Sequence, residues 1–296
     1  LLALQVGRVA HVLRGIDLTV PTRSCFGFLG PNGAGKTTTI KTIMGLIFPT
    51  NGSVLLLGKP PTSAATRVNV GYLPENPSFH DHLTGREALR FSCALLKMPK
   101  STHAERTEAV LDLVKIRYAG DLQVRRYSKG MTQRLGIAQA LLHNPELVIL
   151  DEPMSGLDPL GRRDVKDLIV QLHSKGHTVF FSTHIISDVE EICDHVAIVV
   201  GGKVTRAGPV AEMLAKEQQD YEIVARKVPA DFPNTGELRG REVTTFVRQN
   251  EALTQELVKS LWAAGAEVLS MTMRRSGLET VFLGEVAKQP PRRAEE

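Results

Sequence analysis

The stretch Gly30 to Thr37 reads GPNGAGKT and fits the pattern G-x-x-x-x-G-K-[ST]. That spacing builds a cradle for phosphate. Gly30, Gly33 and Gly35 let the backbone turn tightly enough for successive N–H groups to point inward at phosphate oxygens. Pro31, Asn32 and Ala34 complete the loop, and Thr38 joins the binding set. Lys36 adds a cation for the β- and γ-phosphates, and the Thr37 hydroxyl is placed to hold Mg²⁺. The pattern also constrains the fold, because it works only between a strand and a helix. Cys25-Phe26-Gly27-Phe28-Leu29 is a short apolar run of buried-strand type, and Ile40, Ile43, Met44 and Ile47 recur at helical spacing after the loop. That helix aims its N-terminal dipole at the phosphates. An accidental glycine-rich turn would lack both flanks.

At 296 residues the chain has room for one large domain and a smaller one. A net charge of +4 over this length is too mild to argue for a nucleic-acid partner, and none is expected. Cys25, Cys93 and Cys193 are far apart without metal-type spacing, which fits a reducing compartment. No apolar run approaches the roughly 20 residues that span a bilayer. Work at a membrane would need spans supplied by another chain.

Leu1 to Val20 reads as a small sheet, and Ser53 to Leu57 as a strand after the turn at Pro49–Gly52. Val68 to Leu73 is another strand. From about His80 to Asn144 the pattern becomes helical, with Thr102-x-x-Glu105 read as a capping box. Asp158-Pro159 starts a further helix on Val165, Leu168, Ile169 and Leu172, and Val179 to Ser182 is a buried strand. His195 to Val200 and Lys203 to Ala207 flank Gly201-Gly202 as a hairpin. Beyond a boundary near Ala211 to Asp220, strands over Tyr221–Arg226, Glu242–Arg248 and Glu267–Met273 surround a helix over Asn250–Ala264. The proline-rich, charged end, Gln289 to Glu296, reads as a disordered tail.

Leu147 to Glu152, LVILDE, is an apolar strand ending in two acids. Downstream of a phosphate loop, Asp151 reads as the partner of Mg²⁺, directly or through water. Glu152 reads as the base that activates or orients the attacking water. Two buried strands ending at one edge put both motifs in one crevice.

Further motifs carry a family resemblance. Tyr127 to Arg134, YSKGMTQR, resembles the signature segment of ATP-binding-cassette proteins. Ser155-Gly156-Leu157-Asp158 resembles their D-loop, and Ser182-Thr183-His184 their switch histidine. Gly71-Tyr72-Leu73-Pro74-Glu75 occupies the place of the Q-loop. The resemblance runs over roughly Ile16 to Ala215 with the motifs in the family's order. It implies an α/β fold: a P-loop NTPase cassette with a mixed sheet core, a β-subdomain and a helical subdomain, plus a small C-terminal α+β domain. The expected divisions are a nucleotide-binding domain over 1–215, its helical subdomain about 79–144, the C-terminal domain over 221–286, and the tail over 287–296.

The resemblance further implies a head-to-tail pairing, as homodimer or paired cassette, with ATP and Mg²⁺ buried at the interface. Each ATP would be held by the phosphate loop of one subunit and by Ser128, Lys129 and Gly130 of the other. His184 would contact the γ-phosphate or the attacking water, and Asp158 would communicate between the sites. Glu75 stands where the family carries glutamine and would meet Mg²⁺ or a water; Lys129 stands where it carries glycine. No aromatic residue lies near Val6 to Arg8, where adenine would stack, so stacking on the base is either lost or replaced by an apolar side chain such as Val12, and no adenine contact is assigned.

The tail segment Gly277 to Leu283, with Glu75 and the Tyr-Ser-Lys-Gly-Met signature, resembles the subunits that serve ABC-2-type exporters. The resulting expectation is an ATPase subunit at the cytoplasmic face of the membrane, coupled to separate membrane-spanning permease subunits. The alternative is a non-transport cassette ATPase acting in translation, repair or regulation. Those relatives carry two cassettes, a long coiled coil or metal-binding cysteines, none of which this sequence has.

Overall fold

The computed structural model describes residues 12–215, 219–229, 232–233, 237–239, 243–248, 251–275 and 277–288. They form two compact units: one runs to Pro209 and takes in the chain from Glu285, and the other is Val210–Gly284. The candidate adenine platform at 6–8, most of the sheet expected before Val20, and the tail from Gln289 lie outside the described residues. Over residues 12–20 no strand forms.

Regular structure begins at β1 (Cys25–Leu29), all five residues buried, as a strand covered on both faces requires. After the glycine-rich turn, α1 (Lys36–Ile43) starts at Gly35 and closes at Met44. The expected helical face is therefore shorter: Ile40 and Met44 are buried, whereas Ile47 lies past the helix end and is exposed. Gly45, at φ +65°, supplies the left-handed residue that ends such a helix. The strand expected over Ser53–Leu57 is absent. Leu57 and Gly58 both have positive φ and turn the chain back, leaving one bridge between Leu56 and Lys59.

A single helical turn, α2 (Ala64–Arg67), leads to β2 (Val70–Leu73). Three helices follow: α3 (Gly85–Leu95), α4 (His103–Leu113) and α5 (Lys129–Leu141). The capping box is at Thr84–Glu87, not at Thr102–Glu105. Glu87 N–H donates to Thr84 Oγ1 at 3.2 Å, and Thr84 N–H donates to the Glu87 carboxylate at 2.8 Å. Thr102 ends a 3₁₀ turn that runs straight into α4, so it has helical dihedrals and its hydroxyl donates back to Pro99 O. An N-cap needs extended dihedrals, which Thr84 has. Leu89, Cys93, Leu111 and Leu135 of these helices share one buried cluster with Val148 and Leu150.

The chain continues through β3 (Leu147–Leu150), α6 (Pro159–Ser174), β4 (Thr178–Thr183), α7 (Ile186–Ile192), β5 (His195–Val200) and β6 (Lys203–Pro209). The sheet order is β2-β3-β4-β1-β5-β6, parallel except for β6. Since β3, β4 and β1 are consecutive and parallel, the loops after Leu150, Thr183 and Leu29 leave along one edge. Ligands of open parallel sheets bind at such carboxyl ends.

The second unit contains α8 (Val210–Ala215), β7 (Gln219–Arg226), β8 (Glu237–Arg239), β9 (Val243–Arg248), α9 (Glu251–Ala263) and β10 (Glu267–Arg275). Its antiparallel sheet has the order β10-β7-β9-β8, and Leu257, Val258 and Leu261 of α9 pack on Ile223, Ala225 and Phe246. The last element is α10 (Leu278–Ala287). Among the described residues no helix is long and apolar enough to cross a membrane.

Candidate active site

Lys36, the first residue of α1, is buried, and its Nζ donates to Gly30 O at 2.8 Å and Pro31 O at 3.3 Å. The same nitrogen lies 3.1 Å from Glu152 Oε1, and Glu152 Oε2 lies 3.0 Å from His184 Nδ1. Three loops from three adjacent strands thus bring a cation, a carboxylate and an imidazole into one line.

Ser182, on β4, fixes both acids at the end of β3. Glu152 N–H donates to its Oγ at 2.9 Å, and its hydroxyl donates to Asp151 Oδ1 at 2.7 Å. Glu152 itself is held at φ +48°, a region L-residues with a side chain rarely occupy and one often found at functional sites. In the sequence Ser182 stands out only as the residue before Thr183-His184. Its role follows from register: Leu150 pairs with Phe181, so Ser182 comes level with Asp151.

Asp151 is fully buried, and its Oδ2 has no hydrogen-bond partner. Burial pushes its carboxyl above the usual carboxylate range, and the Glu152 charge adds to this. The hydroxyls of Ser182 and Thr37 and the Lys36 cation oppose the shift. A buried carboxylate oxygen without a partner is costly unless a cation meets it. With the half-buried Thr37 beside it, the donor set is the hard-oxygen type that Mg²⁺ takes.

The loop glycines divide in two. Gly33 (φ +75°) and Gly35 (φ +102°) adopt left-handed backbone, as the tight turn requires. Gly30 does not. It is there because a Cβ would stand 2.4 Å from Val199 O, and its N–H donates to Thr183 O at 3.1 Å. Of the other loop residues, Ala34 is buried and its carbonyl accepts from Gly202 N–H at 3.0 Å; Asn32 is exposed and Thr38 half-buried. Val12, offered as a base partner, approaches Gly35 through its carbonyl while its side chain is exposed.

Ser128 caps α5, its Oγ accepting from Met131 N–H at 3.2 Å. Within this chain the start of α5 meets the loop after β3 and makes no bond with the Lys36–Glu152–His184 line. A Cβ on Gly156 would stand 2.5 Å from Lys129 Nζ, and one on Gly130 would stand 3.4 Å from Leu157. Buried Gln133, to which the sequence reading gave no role, ties the helix further by donating to Pro153 O at 3.1 Å. Asp158 caps α6 by accepting from Gly161 N–H at 2.8 Å. Glu75 is exposed two residues past β2, and no hydrogen bond joins it to the two acids or to Lys36.

Residues 13–155 match the family model of the ABC transporter. The chain is also 40% identical over 287 residues to an uncharacterized ABC transporter ATP-binding protein of Nostoc sp., covering 94% of this chain and 84% of that one. The chain belongs to the ABC transporter ATP-binding family. Nod factor export ATP-binding protein I of Cupriavidus metallidurans is 32% identical over 282 residues, covering 92% of this ABC subunit and 91% of its own length. A solved ATP-binding subunit of an ABC transporter superposes with a TM-score of 0.63 at 30% identity, over 69% of this chain and 86% of that one. This ABC subunit is therefore an ATP-binding, ATP-hydrolysing component of an ABC transporter, and the non-transport alternative is not favoured.

Proposed function

We propose that two cassettes close on ATP, each site taking its phosphate loop from one chain and Ser128, Lys129 and Gly130 from the other. The observation that carries this reading is the Lys36–Glu152–His184 line, complete except for a cap, while the α5 N-terminus of the same chain rests on its own D-loop. A helix start capped by serine presents free N–H groups, which suit a γ-phosphate arriving from a partner.

In this account the triphosphate draws Lys36 Nζ away from Glu152 Oε1. The freed carboxylate then accepts the proton of the attacking water, and His184 hydrogen-bonds the γ-phosphate or that water. Thr37 and Asp151 would hold Mg²⁺, with Glu75 reaching it through water. When bound, the ion neutralises charge on the β- and γ-phosphate oxygens. Pro31, Asn32, Ala34 and Thr38 complete the phosphate contacts, and Asp158 links the two sites at the interface.

Closure would be passed to membrane-spanning permease subunits, with the cassettes held at the cytoplasmic face of the membrane. Cargo selection belongs to those subunits. The direct test is ATPase turnover per chain across a range of protein concentrations. A composite site predicts a rate that climbs with concentration and then saturates; a constant rate down to monomer concentrations contradicts it.

A further inference from the structure

We propose that Arg162 and Asp188 are positioning residues that hold the D-loop and the His184 turn as one body, linking the half-site a chain gives to its partner with the one it keeps. This rests on the roles proposed above for Glu152 and His184. The helix α6 begins immediately after the D-loop, and α7 begins two residues after His184. Arg162, one turn into α6, donates to Asp188 Oδ2 of α7 at 2.9 Å. One turn further, Lys166 pairs with Glu191, a second rung between the same helices.

The rungs differ in environment. Asp188 is 2% exposed, and its rung lines a cavity of about 230 Å³ together with Glu152, Ser155, Ser182 and His184. Glu191 on the outer rung is 58% exposed. An ion pair with one buried partner, Asp188, is a weak source of net stability compared with apolar packing, so its value lies in registry. The path through the chain is continuous. Lys129 and Gly130 at the start of α5 lie beside Gly156 and Leu157, α6 follows, and Arg162 reaches across to α7, which begins just after His184. In a closed pair, α5 caps the partner's ATP while His184 acts on its own, and the Arg162–Asp188 contact lies between the two.

The test is a double-mutant cycle on steady-state ATPase activity with Asp188→Asn, Arg162→Gln and the double variant. Each single change is expected to lower kcat about ten-fold, in line with the cost of slight misplacement, with KM for ATP within about two-fold of wild type. The double variant should be no worse than either single one. Lys166→Ala on the outer rung should stay within about two-fold of wild type. Should Asp188→Asn not fold, Arg162→Gln at the half-exposed partner decides alone. A kcat within two-fold of wild type, a loss confined to KM, or additive effects would overturn the proposal. Glu152→Gln run in parallel separates the failures: if it is inactive while Asp188→Asn and Arg162→Gln are normal, only the pair's role is wrong. If it turns over at the wild-type rate, the reading of the site itself is wrong.

Discussion

Lys36 Nζ and Glu152 Oε1 stand 3.1 Å apart, with both side chains nearly buried. Without a phosphate, the cation meant for the nucleotide neutralises the carboxylate proposed as base. In the proposed mechanism the triphosphate would compete for that lysine, so that binding and release of the base would be one event.

Lys36→Ala removes the phosphate-directed cation and leaves Glu152 without its partner. Hydrogen bonds to charged groups contribute about 1.5–3 kcal/mol, so ATP affinity should fall on the order of 10- to 100-fold. Equilibrium titration with a fluorescent ATP analogue measures it, and unchanged affinity contradicts the assignment.

Asp151→Asn should trade function for stability. Asparagine keeps the acceptor for Ser182 while deleting the buried charge at Oδ2. The metal-free variant should gain about 1 kcal/mol, raising Tm by roughly 2–4 °C, and should lose ATPase activity. The sign follows from the raised carboxyl. Below its ordinary value near 3.9 both proteins are neutral there and equally stable; the gap opens as pH rises through the folded value. Thermal melts at pH 3 and pH 7.5 test this, and a variant less stable at neutral pH contradicts it.

Thr84→Ala and Thr102→Ala should separate cleanly. Thr84 caps α3 and its loss should cost about 1 kcal/mol, whereas Thr102 caps nothing and should cost under about 0.5 kcal/mol. Urea denaturation of the two variants gives the comparison, and equal losses would contradict the cap assignment.

That pair also marks where sequence stops being informative. Both threonines open the same T-x-x-E pattern, and only the 3₁₀ turn before α4 disqualifies Thr102. Strands buried on both faces, such as Cys25–Leu29 and Leu147–Leu150, were legible because continuous apolar runs have few other uses. The run Ser53–Leu57 misled because the positive φ of Leu57 carries no composition signal. Lys36, Asp151, Glu152 and His184 were legible as ordered motifs. The bonds of Ser182, the tie from Gln133 to Pro153, and the clash that makes Gly30 a glycine all depend on residues from distant segments.

The central claim is that Glu152 acts inside a site completed by a second chain. Glu152→Gln keeps the shape of the side chain and removes its basicity. With ATP and Mg²⁺, the account predicts a stable dimer by size-exclusion chromatography with light scattering, two retained ATP molecules per dimer, and turnover reduced at least about 100-fold. A monomer with ATP bound, or turnover at the wild-type rate, would contradict it.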